Sequence, residues 1–140
     1  SLEEAARKLR YDFLDESAEA IGADCILTAH NLDDNAETLL FNLTRGSGTL
    51  GLRGIPQSRG KLLRPLLHVS RAEIETYLAE NHVPHVEDSS NKSDEYRRNL
   101  LRHQVMPVLR QCNGAVSAAM RRTSALARQD EDCLSAQAAA

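Results

Sequence analysis

The sequence predicts an α/β fold followed by a basic helical part, and three observations carry that expectation. A helix-periodic segment, a compact apolar run and a second helix-periodic segment follow one another over residues 1–45, the rhythm of a layered α/β domain. The apolar run, Cys25-Ile26-Leu27-Thr28-Ala29, lacks alternation, the pattern of a strand covered on both faces in a parallel sheet. From about residue 91 the chain reads as helices only and turns basic. The expected division is an α/β part over 1–90 and a helical subdomain over 91–140.

The elements follow in order. Ser1-Leu2-Glu3-Glu4 is a capping box, with a Ser N-cap and Glu three residues on. Leu2, Ala5, Ala6, Leu9, Phe13, Leu14, Ala18 and Ile21 then keep helical spacing up to Gly22, which predicts a helix over 2–21. After the strand at 25–29, Ala36, Leu39, Leu40 and Leu43 place a helix over 33–45. "RGSGTLGLRG" reads as a loop, and "KLLRPLL" as a strand that Pro65 confines to an edge or cuts short. Ser70-Arg71-Ala72-Glu73 is a second capping box and opens a helix to Asn81. Val83 to Val86 reads as a short strand, and "EDSSNKSD" is too polar for regular structure. A helix resumes near Asp94, with Pro107 ending or kinking it, and a last amphipathic helix covers 115–134.

Composition narrows the class. With 41% hydrophobic and 26% charged residues the chain is ordinary for a globular protein, and no apolar run reaches the ~18 residues that span a bilayer. Cys25, Cys112 and Cys133 form no CxxC, so neither a disulfide framework nor a cysteine zinc site is expected; a reducing cytoplasm fits. The net charge of -3 hides an asymmetry: nine Lys/Arg against fifteen Asp/Glu over 1–91, then eight against two over 92–128. A local excess of +6 is either a solvated helical face or an attractor of phosphate backbones. The chain starts without Met and ends in "SAQAAA", and is expected to be an excerpt of a longer protein.

The densest polar cluster is "AHNLDDNAET". In open parallel sheets ligands sit at the C-terminal ends of strands, where His30 and Asn31 fall. Asp33 is explained as an N-cap or first-turn acid, worth roughly 0.3–1 kcal/mol against the helix dipole. Capping leaves His30, Asp34 and Glu37 over. These acids can hold Mg²⁺ or orient a nucleophile, and the spacing matches no zinc motif. Gly46-Ser47-Gly48-Thr49-Leu50-Gly51 satisfies GxGxxG, but a helix precedes it, so it is no dinucleotide fingerprint. With Arg45 and Arg53 at its edges it either cradles an anion or merely connects. Arg97, Arg98, Asn99 and Arg102 form a further cluster, suited to phosphate or to pairing with Glu87, Asp88, Asp94 or Glu95. Arg10, on its own merits, is a surface arginine.

"SLEEAARKLRYDFL", "TAHNLDDNAET", "RGSG", "LLRPLL" and "EDSSN" followed by "RRNLLRHQVMP", in that order, resemble the bacterial tRNA(Ile)-lysidine synthetase family of PP-loop ATP-pyrophosphatases. The resemblance covers Ser1 to about Leu109. It implies part of a parallel-sheet, Rossmann-like ATP-pyrophosphatase domain with a helical subdomain behind it. It implies ATP and Mg²⁺ as cofactors, and tRNA(Ile) and free L-lysine as partners, in the cytoplasm, with a homodimer as one arrangement. The reaction it implies is adenylation of the wobble cytidine, then displacement of AMP by lysine. By the same resemblance Asp34, Arg10 and Arg98 are the catalytic set, and Asp34 the magnesium ligand. His30, Asp33, Glu37, Arg45, Gly46, Gly48, Asn99 and Arg102 are then the substrate- or nucleotide-binding set.

One departure limits this. The family's ATP signature, Ser-Gly-Gly-x-Asp-Ser after the first strand, does not occur in these 140 residues. The chain by itself is therefore expected to form no lysidine and to bind ATP weakly at most. Three readings compete: a tRNA thiolase of the same superfamily, which would ordinarily show paired cysteines; a non-catalytic RNA-binding fragment using residues 92–128; and a zinc amidohydrolase built on His30 and the acids.

Overall fold

The computed structural model describes residues 2–86 and 95–139. Helix α1 runs Leu2–Ala20 and stops at Gly22, whose φ of +67° ends the helix without steric cost. Strand β1 follows at Ile26–Leu27, then α2 at Leu32–Thr44 and the single turn α3 at Thr49–Leu52. A hairpin, β2 (Ser58–Arg59) and β3 (Leu62–Leu63), turns at Gly60-Lys61 with Gly60 at φ +59°. Helix α4 is Arg71–Glu80 and α5 is Glu95–Leu100. A π-helical turn at Leu101–Val105 leads into α6 (Met106–Cys112), and α7 closes the chain at Val116–Ala138.

The sheet has the order β1-β3-β2. β1 and β3 run parallel, with Ile26 beside Leu62 and Leu27 beside Leu63, while β2 pairs antiparallel with β3. The parallel pair, with α2 and α3 in the crossover, is the expected α/β unit; the antiparallel β2 is an addition to it. Ala18, Ile26 and Leu62 form the core beneath α1, with Tyr11, Leu14 and Ala23 packed against it. Helix α7 packs on α2 and α3, so the C-terminal helix closes one side of the α/β part.

Several local expectations are corrected. Strand β1 is two residues long, and only Ile26 is buried; Leu27 is 64% exposed, so this strand is not covered on both faces by the described residues. Val83–Val86 forms no strand. Pro84 has no N–H to give a ladder, and Val86 stands 93% exposed. Inside the presumed glycine loop, α3 forms with Gly48 as its N-cap. Pro107 sits in the first turn of α6, and the preceding turn widens to a π-helix in which Met106 N–H donates to Leu101 O. The capping box at Ser1 and the "EDSSN" segment lie outside the described residues.

Candidate active site

The site begins where β1 ends. Thr28 N–H donates to Leu63 O at 3.0 Å and Leu32 N–H to Val69 O at 2.9 Å, which fixes the connection between strand and helix from both sides. Asn31, not Asp33, is the N-cap of α2: its Oδ1 accepts from the backbone N–H of Asp33 and of Asp34, both at 3.0 Å. Asp34 returns the bond, with Oδ2 accepting from Asn31 N–H at 2.9 Å. This reciprocal box holds His30 above the helix start. A 3.0 Å hydrogen bond joins His30 Nδ1 to the Thr28 hydroxyl. Burial lowers the His30 pKa, the Arg64 charge lowers it further, and Asp34 only partly offsets them, so the imidazole is neutral at neutral pH.

A cleft of about 590 Å³ opens between α1, the end of β1, the start of α2 and the hairpin. His30, Asp34 and Glu37 stand on one wall, and Arg10 and Arg98 line it as well. Glu37 is 4% exposed, and the Arg102 guanidinium grips it with Nε at 2.7 Å from Oε1 and Nη2 at 2.9 Å from Oε2. The same Nη2 lies 3.2 Å from Asp34 Oδ1. Arg102 thus neutralises much of the acidic wall from the side of the π-helical turn. That turn, by shifting the helical register, sets the direction in which Arg102 leaves the helix.

The cations outnumber the acids. Arg7, Arg10, Arg59, Arg64 and Arg98 all line the cleft, and among the described residues none of the five has a carboxylate partner. Arg64 follows β3 directly and is 2% exposed; its Nη1 donates to Pro56 O at 2.7 Å. Desolvating an arginine without a counter-charge is costly, and the cost is recovered only when an anion arrives. The arrangement is chemically suited to a polyanion whose reacting end meets His30 and Asp34.

The remaining sequence-selected residues lie elsewhere. Asp33 points away from the cleft: its carboxylate accepts from Arg71 N–H at 2.8 Å, from the Ser117 hydroxyl at 2.9 Å and from Arg110 at 3.0 Å. Burial works to raise its pKa, but those donors together hold it below the usual aspartate value. Arg45 sits over the Phe41 ring at 5.4 Å, eleven residues along α2 from Asp34, or roughly 17 Å at the rise of an α-helix. Gly46, at φ +70°, ends α2 in a Schellman motif: Gly46 N–H bonds Leu43 O and Ser47 N–H bonds Asn42 O. Gly46, Gly48 and Asn99 do not line the cleft.

Sequence reading passed over Arg7, Tyr11, Arg59 and Arg64. Arg64 had a usable signal, a charge inside the apolar run "LLRPLL". Arg7 and Tyr11 share a helix face at i, i+4 beside Arg10. Arg59 carried none, because only the hairpin brings it across to α1.

Residues 1–109 match the family profile described as the PP-loop domain. The chain belongs to the PP-loop domain family. This PP-loop chain is 49% identical over 113 residues to a tRNA(Ile)-lysidine synthase of Thermosipho africanus, covering 81% of the chain and 26% of that protein. With the Deinococcus radiodurans tRNA(Ile)-lysidine synthase it shares 47% identity over 136 residues, covering 97% and 23%. The Chlorobaculum tepidum enzyme of that name is 50% identical over 109 residues, covering 78% and 33%. The chain thus spans a quarter to a third of the length of these curated relatives. Among solved structures, the U34-tRNA thiolase NcsA from Methanococcus maripaludis with its [4Fe-4S] cluster superposes with a TM-score of 0.70 at 16% identity, over 88% of this chain and 43% of that one. At that identity the likeness concerns the PP-loop fold. In this chain Cys25, Cys112 and Cys133 are free and exposed, and among the described residues no three His, Cys, Asp or Glu side chains are grouped to hold a metal. No described helix is long and apolar enough to cross a membrane.

Proposed function

We propose that this chain supplies part of the catalytic domain of a tRNA(Ile)-lysidine synthase, a cytoplasmic ligase acting on tRNA(Ile), ATP and free L-lysine. The observation that carries the reading is the cleft itself, where five arginines without carboxylate partners among the described residues face His30, Asp34 and Glu37. The three named relatives support the choice of reaction. In that reaction the cytosine C2 oxygen attacks the α-phosphorus of ATP and pyrophosphate leaves. The lysine ε-amine then attacks C2, the C2–O bond breaks, and AMP departs with the oxygen.

The arginines suit the negative charge that gathers on phosphate oxygens in both steps. Arg10 and Arg98 flank the acidic wall and fit that role. Asp34, whose side chain lines the cleft and whose oxygens each accept one hydrogen bond, from Asn31 N–H and from Arg102, fits reception of the lysine ammonium or of the proton the amine sheds on attack. Neutral His30 fits a hydrogen bond to the uncharged base. These residues do not make a magnesium site of their own. Asp34 contributes one carboxylate already in contact with Arg102, and Glu37 has both oxygens engaged. No step is therefore routed through a metal.

The test is lysidine formation by the protein in its full native length, with Asp34→Asn as the decisive variant. Asn keeps an acceptor for the Asn31 N–H but loses the charge. Activity should fall by at least a hundredfold while tRNA affinity holds within about twofold. Equal losses of activity and tRNA affinity would move Asp34 from chemistry to folding, and no lysidine from the unaltered protein would sink the reading.

A further inference from the structure

We infer that Tyr11 gathers Arg7, Arg59 and Arg64 into a phosphate-binding subsite of the cleft, beside the His30–Asp34 wall. The inference rests on the proposed function only in taking a phosphate-bearing ligand as the occupant.

Tyr11 is the centre of the cluster. Its ring carries the Arg59 guanidinium at 4.7 Å and that of Arg7 at 5.7 Å from the centroid, and the Arg64 charge acts on the same phenol. Burial alone would raise the phenol's pKa; the nearby guanidiniums of Arg64, Arg7 and Arg59 reverse the shift and lower it. One side chain from α1 thus holds cations from three places: its own helix, the hairpin and the end of β3. Three guanidiniums around one phenol repel each other, and each cation–π contact at an exposed site returns only about 0.5–1 kcal/mol. Folding gains little from such convergence.

Arg64 adds an independent observation. It is 2% exposed and lines the cleft, yet its Nε is buried with no hydrogen-bond partner. A guanidinium presents five donors in a planar fork matched to paired oxygens. Here one donor goes to Pro56 O, and among the described residues no carboxylate balances the charge. An unpaired, nine-tenths-buried cation beside two more that are solvent-facing is a site awaiting an anion. Three cations suit a phosphate better than a single carboxylate, which one arginine fork satisfies. The phosphate has two sources, a diester of an RNA backbone or the phosphates of a nucleotide.

The experiment uses the full-length protein, a generic RNA hairpin and ATP, and measures binding without catalysis. Arg7→Ala and Arg59→Ala are the primary variants, since both residues are exposed and outside the core. If RNA is the source, each variant lowers the slope of log affinity against log salt by about 0.7–0.9, the contribution of one phosphate contact, with ATP affinity unchanged. If the nucleotide is the source, the ATP dissociation constant rises at least threefold and RNA binding holds. Either result, or both together, supports the subsite. Tyr11→Ala should match or exceed the larger single loss. Tyr11→Phe should keep the Arg7 and Arg59 share, because the ring remains, and this graded rescue marks a positioning role. Folded variants that change neither RNA nor ATP binding overturn the inference. Because no lysidine is measured, the subsite can survive failure of the ligase reading, and the ligase reading can survive loss of the subsite.

Discussion

Replacing Asp33 with Ala removes one carboxylate that fastens four helices. From the first turn of α2 it receives Arg71 N–H at the start of α4, Arg110 near the end of α6 and the Ser117 hydroxyl in the first turn of α7. Its side chain is 15% exposed, so these bonds work in a partly desolvated setting. Hydrogen bonds to a charged group contribute roughly 1.5–3 kcal/mol each, but they are not additive here. The Arg110 pair is discounted to under about 1 kcal/mol, because Arg110 is 45% exposed and screened. What remains is the loss of the Arg71 and Ser117 bonds, with buried Ser117 left unsatisfied, about 3 kcal/mol in all. In urea, with a slope of about 1–3 kcal/mol per molar, that moves the unfolding midpoint down by roughly 1–3 M.

The pH dependence follows the same bonds. The folded pKa of Asp33 is depressed, so its contribution is complete above the unfolded value of about 3.9 and is lost as pH falls through the lower folded value. The stability gap between the unaltered protein and Asp33→Asn should therefore be flat from pH 5 to 7 and close below about pH 4. Urea titrations of the full-length protein at several pH values read both quantities. A loss under about 1 kcal/mol for Asp33→Ala, accompanied by collapse of ligand binding, would refute the structural account and return Asp33 to the site.

Three further outcomes are expected. Arg102→Met strands the buried Glu37 carboxylate and should cost about 2–3 kcal/mol, less than a fully buried pair because Arg102 is 35% exposed; adding Glu37→Gln should restore part of it in a double-mutant cycle. Gly54→Ala should destabilise by about 2–3 kcal/mol in chemical unfolding, since Gly54 holds φ +63° and a Cβ there would run into Asn35 Oδ1, the acceptor of Ile55 N–H. The 140-residue chain assayed alone should yield no lysidine, because it contains no Ser-Gly-Gly-x-Asp-Ser segment; product above background from purified chain would reverse that expectation.

Local chemistry was the legible part of this fold. Gly22, the Ser70–Glu73 capping box and the Asn113-Gly114 break each act through bonds within a few residues, and the structure places helix ends at all three. The acid cluster was legible as a strand-end site for the same reason. What stayed hidden depends on distant partners. Asp33 and Asp34 look alike in sequence, yet Ser117 and Arg110 draw one into the helix packing while the other faces the cleft. Arg59 and Tyr11 meet only because the hairpin folds back beside α1, a juxtaposition no spacing rule contains. The π-helical turn is likewise a tertiary compromise next to Pro107, not a periodicity of its own residues.

The charge asymmetry along the chain points in the opposite direction from the geometry. By sequence, the +6 of residues 92–128 is either a solvated helical face or an attractor for a phosphate backbone. In the structure, three of those arginines are turned inward: Arg102 to Glu37 and Asp34, Arg110 to Asp33, and Arg128 to the backbone carbonyls of Arg53 and Ile55 at 2.6 and 3.3 Å. They fasten the helical part to an acidic α/β part. The arginines left for a ligand lie mostly in the acidic half, where Arg7, Arg10, Arg59 and Arg64 converge and only Arg98 joins from the basic segment. Net charge thus measures how the two parts hold each other. The cations of the cleft are those that this mutual neutralisation leaves without a carboxylate among the described residues.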